Sequence, residues 1–205
     1  IPAEYVDGDV ALTAVFAAAG NGRGGEGYAL SFDKNATAPA AINNTLAVNE
    51  KSFEFGGDAA YYDLTEKVVL LAGARSLNVA LANETGKDSY LYIDLDNDGR
   101  FTASLNGDGV PALSSELVAF SHYNGKDSNG NSVEAGAAAG VLSCSVSPLL
   151  ADGIYRARLK VDSNNILSDG SATIVADGGF VVDFLLSIVD GECAVVQNKV
   201  DGSID

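Results

Sequence analysis

Three carboxylates at every second position, Asp94, Asp96 and Asp98, with Gly99 behind them, are the residues whose types and spacing point to the most specific chemistry in this chain. In extended backbone alternate side chains share a side, and a sharp turn at Gly99 would curl them round one point. Three anions brought together repel one another, and a hard cation taking about six to eight oxygen ligands relieves that repulsion. Calcium suits the arrangement better than magnesium, which takes fewer protein ligands. Arg100 would add its backbone carbonyl rather than its side chain. Asp94, Asp96, Asp98 and Gly99 match the first, third, fifth and sixth positions of an EF-hand loop, but Leu105 stands where the bidentate Glu should be, in a segment that reads as a strand. The loop is therefore not an EF-hand, and a further ligand must come from outside it. Asp108 and Glu116, on the next turns of the same hairpin, are the candidates. The alternative is an acidic turn held by Asx hydrogen bonds without a metal.

Other groups carry weaker signals. His122 is the single histidine and sits beside Ser121. Neighbours on a strand point to opposite faces, and there is no G-x-S-x-G elbow, so His122 reads as a surface or interface residue. The many acids leave a glycosidase-type carboxylate pair open, although the chain has no Trp to line a sugar cleft. Tyr61, Tyr62 and Tyr123 are the phenols available to a ligand, while Tyr90 and Tyr92 read first as one face of a strand. Arg156, Arg158 and Lys160 form a basic stripe that would either bind an acidic ligand or pair with neighbouring carboxylates. Cys144 and Cys193 allow one disulfide closing a long loop, or two buried free thiols. Two Cys and one His are too few for a usual zinc site. Gly20–Gly25 spells G-x-G-x-x-G, but a strand-like Tyr28–Phe32 follows where a dinucleotide fold needs a helix, so a glycine-rich hairpin connection is expected.

The elements that must position these groups read as strands. Alternation marks Asp9–Phe16, Tyr28–Phe32, Leu46–Val48, Ser52–Phe55 and Ala60–Leu64. Val68–Ala82 is one long strand, or two joined at Gly73. Tyr90–Asp94 leads into the aspartates, and Phe101–Leu105 and Glu116–Tyr123 follow. Val141–Val146, Asp152–Asp162, Ala172–Ala176, Phe180–Val189 and Cys193–Gln197 complete the set. Asp152–Asp162 reads as half-buried, with Arg156, Arg158 and Lys160 on one side and Ala157, Leu159 and Val161 on the other. Asn124–Gly136 is an exposed loop. Asn35 and Asn43 head glycosylation sequons, relevant only to a eukaryotic secreted protein. No segment carries a capped helical stripe. Many short strands, with turns at about eight- to twelve-residue intervals, predict an all-β antiparallel sandwich, jelly-roll or Ig-like, with few or no helices.

Composition narrows the function classes. The chain has 205 residues, enough for one or two domains, and 47% hydrophobic residues, which argues against disorder. With 28 acidic against 12 basic residues its formal charge is −16. That field repels nucleic acid and anionic lipid and suits an exported protein in a calcium-bearing medium. No apolar run is long enough for a transmembrane helix, so membrane insertion is not expected. The chain begins at Ile1 with no visible signal peptide, which reads as a mature or trimmed protein, any export signal having been removed.

Val68 to about Val189 resembles the GEVED-type β-sandwich modules of bacterial secreted and surface proteins, with a general likeness to Bacteroidetes-type accessory domains. Those modules carry a strand of the form Y-I-D-x-N-x-D-G-x-F, here Tyr92-Ile-Asp-Leu-Asp-Asn-Asp-Gly-Arg-Phe101. Asp96 replaces the Asn and keeps an oxygen ligand. Their Gly-Glu motif is matched by Ser115-Glu-Leu-Val118 without the Gly, and their Arg-rich strand by Gly153–Arg158. The resemblance implies a non-catalytic accessory module, often attached to peptidases or glycan-degrading enzymes. It covers a little over half the chain and divides it at 67–205, leaving 1–66 as extra strands of the same sandwich or a small separate β-domain. The expectation is a secreted, periplasmic or cell-surface module, calcium-stabilised, that binds or positions a glycan or surface-protein partner within a larger chain. The alternatives are a glycan hydrolase using a carboxylate pair, and a structural spacer of a larger surface protein.

Overall fold

The computed structural model describes residues 37–189 apart from 38, 74, 84, 148 and 163–173. Within them the chain is all-β. Nine strands are present: β1 (Ile42–Val48), β2 (Lys51–Gly57), β3 (Tyr61–Ala72), β4 (Ser76–Leu81), β5 (Asp88–Ile93), β6 (Leu117–Phe120), β7 (Leu142–Ser145), β8 (Gly153–Asp162) and β9 (Phe180–Val189). They form a four-stranded sheet in the order β2-β1-β4-β7 and a five-stranded sheet in the order β3-β9-β8-β5-β6. No helix among the described residues is long and apolar enough to cross a membrane.

The two sheets pack as a sandwich because each presents one apolar side. Leu46 and Val48 of β1, and Leu77 and Val79 of β4, alternate inward with no exposure. They meet Leu91 and Ile93 of β5, Ala157, Leu159 and Val161 of β8, and Val182, Phe184 and Leu186 of β9 in one core. Phe55 closes the far side of this core against Tyr62 and Phe180, with ring centroids 4.8 and 6.0 Å away. Asn49 turns the β1–β2 hairpin at a φ of 52°, a conformation Asn tolerates well among non-glycine residues. Its side chain then bonds Ser76 O and Asn78 N–H, fixing the hairpin to β4.

Several expectations change with the fold. All pairings are antiparallel except one, because β3 runs parallel to β9. The stretch Val68–Ala82 is two strands in different sheets, parted at Gly73 (φ 63°) and Arg75 (φ 50°). The Arg75 guanidinium is buried and donates to Ser147 O and Leu150 O, which anchors the crossing. Phe101–Leu105 is not a strand, since its sole ladder contact is the Leu105–Pro111 bridge. Strand β3 runs through position 66 with an irregularity between Leu64 and Val68, and β1 and β2 share a sheet with β4 and β7. Asp9–Phe16, Gly20–Gly25, Tyr28–Phe32, the Asn35 sequon and Cys193–Gln197 lie outside the described residues.

Strand β8 corrects the half-buried reading. All ten of its residues are buried, Arg156, Arg158 and Lys160 included. It lies between β5 and β9, and Arg156 and Arg158 face Asp183 on β9, an acid that alternation on β8 alone does not reveal.

Candidate metal centre

Strand β5 delivers Asp94 to the sheet's end. Ile93 N–H still bonds Glu116 O and Asp94 N–H bonds Arg156 O, so the backbone is fixed up to the first aspartate. Asp94 itself is fully buried, whereas Asp96 and Asp98 are exposed. The loop then curls back on itself. Asp94 Oδ2 accepts from Gly99 N–H at 3.0 Å, and Asp98 N–H is shared between Asp94 Oδ1 at 3.2 Å and Asp96 Oδ1 at 3.0 Å. Asp98 Oδ1 accepts from Arg100 N–H at 2.8 Å. The curl needs positive φ at Asn97 (57°) and Gly99 (89°), residue types that tolerate it. One carboxylate oxygen from each of Asp94, Asp96 and Asp98 then lies within 4.8 Å of the others.

The donor set fits a hard cation. Each carboxylate oxygen has two lone-pair directions, and the backbone bonds leave further directions for a metal. Unit negative charges about 5 Å apart repel by roughly 3 kcal/mol per pair at an effective dielectric constant near 20. A divalent cation reverses the sign of that term. Calcium's tolerance of irregular oxygen geometry matches a loop with two exposed acids.

Glu116 serves the loop differently from the expectation. It is buried, its Oε1 accepts from Leu95 N–H at 2.8 Å, and its Oε2 accepts from Thr102 N–H at 2.7 Å and Thr102 Oγ1 at 2.9 Å. It therefore clamps both ends of the aspartate loop and stands outside the three-carboxylate group. Burial pushes its carboxyl above the usual range, with Asp94 adding to the shift and the Thr102 and Leu95 bonds opposing it. Asp108 is exposed on the Leu105–Pro111 turn, its backbone carbonyl held by Lys126 Nζ at 3.2 Å, and it too stands outside the group. Arg100 bonds the loop through its amide.

Beyond the loop, Phe101 is fully buried against Tyr92, with centroids 5.8 Å apart, and the Arg158 guanidinium stacks on its ring at 5.1 Å. Arg158 in turn donates to both oxygens of Asp183, at 2.6 and 2.8 Å. Arg156 donates to Asp183 Oδ2 at 2.9 and 2.7 Å and to Tyr61 Oη at 2.6 Å. The basic stripe is thus engaged inside the protein. Lys160 Nζ meets Asp162 Oδ2 at 3.2 Å, with both side chains essentially unexposed. Burial, then the Asp183 charge, pushes the Tyr61 phenol up to about 12.

The expected ligand-binding residues do not form one site: three meet inside the protein and two lie apart from them. Tyr61, Arg156 and Arg158 share the Asp183 network. Tyr62 lies on the opposite side of β3, in the intersheet core, donating to Gly57 O. Tyr123 sits beyond β6, edge-on to Phe120. Cys144 is a free thiol whose burial pushes it up to about 12; Cys193 lies outside the described residues. Cys144 lines a groove of about 420 Å³ with Leu95, Pro111, Leu113 and Val118, which opens beside the aspartate loop.

His122 corrects the surface reading, for it is buried. Its Nδ1 meets Asp88 Oδ2 at 3.3 Å, and its Nε2 lies 3.2 Å from Gly125 N–H. Burial raises the Asp88 carboxyl, and its bonds to His122 and Tyr90 oppose the rise. Asp88, Asp162 and Asp183 carried no motif. The detectable signal was an acid within an otherwise strand-like run, as in Phe180-Val-Val-Asp-Phe184.

No family model matches the chain, and no curated protein matches its sequence.

Proposed function

We propose that this chain is a non-catalytic extracellular β-sandwich module of the GEVED type, stabilised by calcium at one corner, that binds or positions a glycan or surface-protein partner. The observation that carries the reading is the convergence of Asp94, Asp96 and Asp98 within 4.8 Å on a loop already curled by its own backbone bonds. Calcium would be held by these three carboxylates, with the Arg100 carbonyl as the further ligand from the loop. Its chemistry here is charge neutralisation and loop stiffening. The net charge of −16 supports a medium rich in divalent cation, and with it a secreted, periplasmic or surface location.

Supporting the structural rather than catalytic role, the most buried acids are engaged in holding the fold. Glu116 clamps the loop ends, Asp183 joins β8 to β9, and Asp162 receives the Val175 and Ala176 amides. Titration calorimetry of the chelator-treated protein with calcium tests the metal. One site per chain, lost in Asp94→Asn, is expected, and the absence of binding heat at several temperatures overturns it. A glycan array read with and without calcium tests the partner: enrichment of one glycan class supports a glycan, and silence there with retention of a surface protein supports the other arm.

A further inference from the structure

The buried Asp88–His122 pair is aimed at a backbone nitrogen. Tyr123 and Lys126 exchange backbone hydrogen bonds at 2.7 and 3.0 Å across the two-residue turn Asn124-Gly125. Both turn residues have positive φ, 50° and 77°, as a type I′ hairpin requires. An amide N–H can only donate, so the contact from Gly125 N to His122 Nε2 at 3.2 Å makes Nε2 the acceptor and leaves the ring proton on Nδ1. That proton faces Asp88 Oδ2 at 3.3 Å. The arrangement is a carboxylate-oriented imidazole whose lone pair points at the amide nitrogen that follows an exposed asparagine.

We propose that Asn124-Gly125 is a self-modification site, with His122 as general base and Asp88 as its positioning residue. His122 Nε2 takes the Gly125 amide proton as that nitrogen attacks Asn124 Cγ. The N–Cγ bond forms, the Cγ–Nδ2 bond breaks, and the side-chain nitrogen leaves as ammonia with the returned proton. Water then opens the succinimide to aspartate or isoaspartate, with no redox partner needed. The product adds a negative charge, and the isoaspartate form lengthens the backbone within the turn. The turn's other contacts, Val133 N–H to Gly125 O and the Lys126–Ser132 bridge, place the whole 123–133 loop under its control.

The chain supplies its own controls. Asn106-Gly107 and Asn129-Gly130 are also exposed at Asn, and with a single histidine in the chain neither has such a base. Asp88 and Tyr90 on β5 bond His122; Asp162 and Lys160 lie opposite those two in the register of β8, and Tyr123, Lys126 and Asp127 carry the titratable groups of the turn that follows.

Peptide mass spectrometry of the aged, folded protein reads amide-to-acid conversion at all three sites. The expected result is conversion at Asn124 at least about tenfold faster than at Asn106 or Asn129, and slowed by about tenfold or more in His122→Gln. The rate at Asn124 should level off with rising pH, as proton removal by a base built into the protein requires. The wild-type pH profile decides the question even if His122→Gln fails to fold. Equal rates at the three sites, an unchanged rate in a folded His122→Gln, or a steady rise of about tenfold per pH unit from roughly pH 5 to 8, as hydroxide alone would give, each overturns the proposal.

Discussion

Asp183 holds two guanidinium groups in a site from which water is excluded, and the physics of such a site is lopsided. Forming the network gains little net stability, because three charges leave water. Removing the acid alone leaves two buried cations without their counter-charge. Asp183→Asn should therefore cost about 3–5 kcal/mol in urea unfolding, and a loss under about 1 kcal/mol would contradict the network's role. Glu116 makes a prediction in pH. Its folded pKa is raised, chiefly by burial, so the folded state holds its proton to higher pH than the unfolded chain. Its contribution to stability is full below the unfolded Glu range, near pH 4.3, and declines as pH rises through the raised folded value. In chelator, the stability of wild type relative to Glu116→Gln should fall as pH rises from the unfolded Glu range, near pH 4.3. A relative gain over that rise would contradict the assignment. The alternation of β8 shows which way Arg156 and Arg158 point, but not that they are buried. Burial depends on what covers a face, and the partner acid lies on β9, about 25 residues downstream.

At the scale of elements, the β1–β2 hairpin is tight enough to test directly. A Cβ on Gly56 would lie 2.7 Å from Ile42 O, a backbone atom of the paired strand. Gly56→Ala should destabilise by about 1–3 kcal/mol, read from the thermal midpoint. An unchanged midpoint would mean that β2 moves freely against β1. Most strands were legible because alternation or an unbroken apolar run survives in a single segment, as in Phe180–Val189. The break at Gly73 was legible only as an alternative, since Val68–Ala72 and Ser76–Leu81 are both apolar on their inward sides. Phe101–Leu105 carries strand-like residues, but Phe101 is spent on packing beneath Arg158 and Thr102 on bonding Glu116. The aspartate loop was legible down to its turn residues, because Asp, Asn and Gly at fixed spacing dictate local hydrogen bonds. Its closure by Glu116 was seen only as proximity, since a clamp and a ligand demand the same residue type.

Across the whole molecule, two sheets share one core and the acids divide into two populations. Asp88, Asp162 and Asp183 are buried and engaged within the five-stranded sheet. Asp96 and Asp98 stay exposed beside buried Asp94, at the end where β5 leaves the sandwich. The all-β sandwich follows from strand spacing and polarity. The parallel β3–β9 pair did not, because strand order across a sheet is set by contacts over more than a hundred residues. A corner built from three converging carboxylates would link the fold to the solution around it, since a bound cation would cancel their repulsion. The most direct measurement is the thermal midpoint in excess calcium and in EDTA, for wild type and Asp94→Asn. The account predicts that calcium raises the wild-type midpoint by several degrees, equivalent to about 2–3 kcal/mol at saturation, and leaves the variant unmoved. Equal midpoints for the wild type in calcium and in EDTA would contradict it.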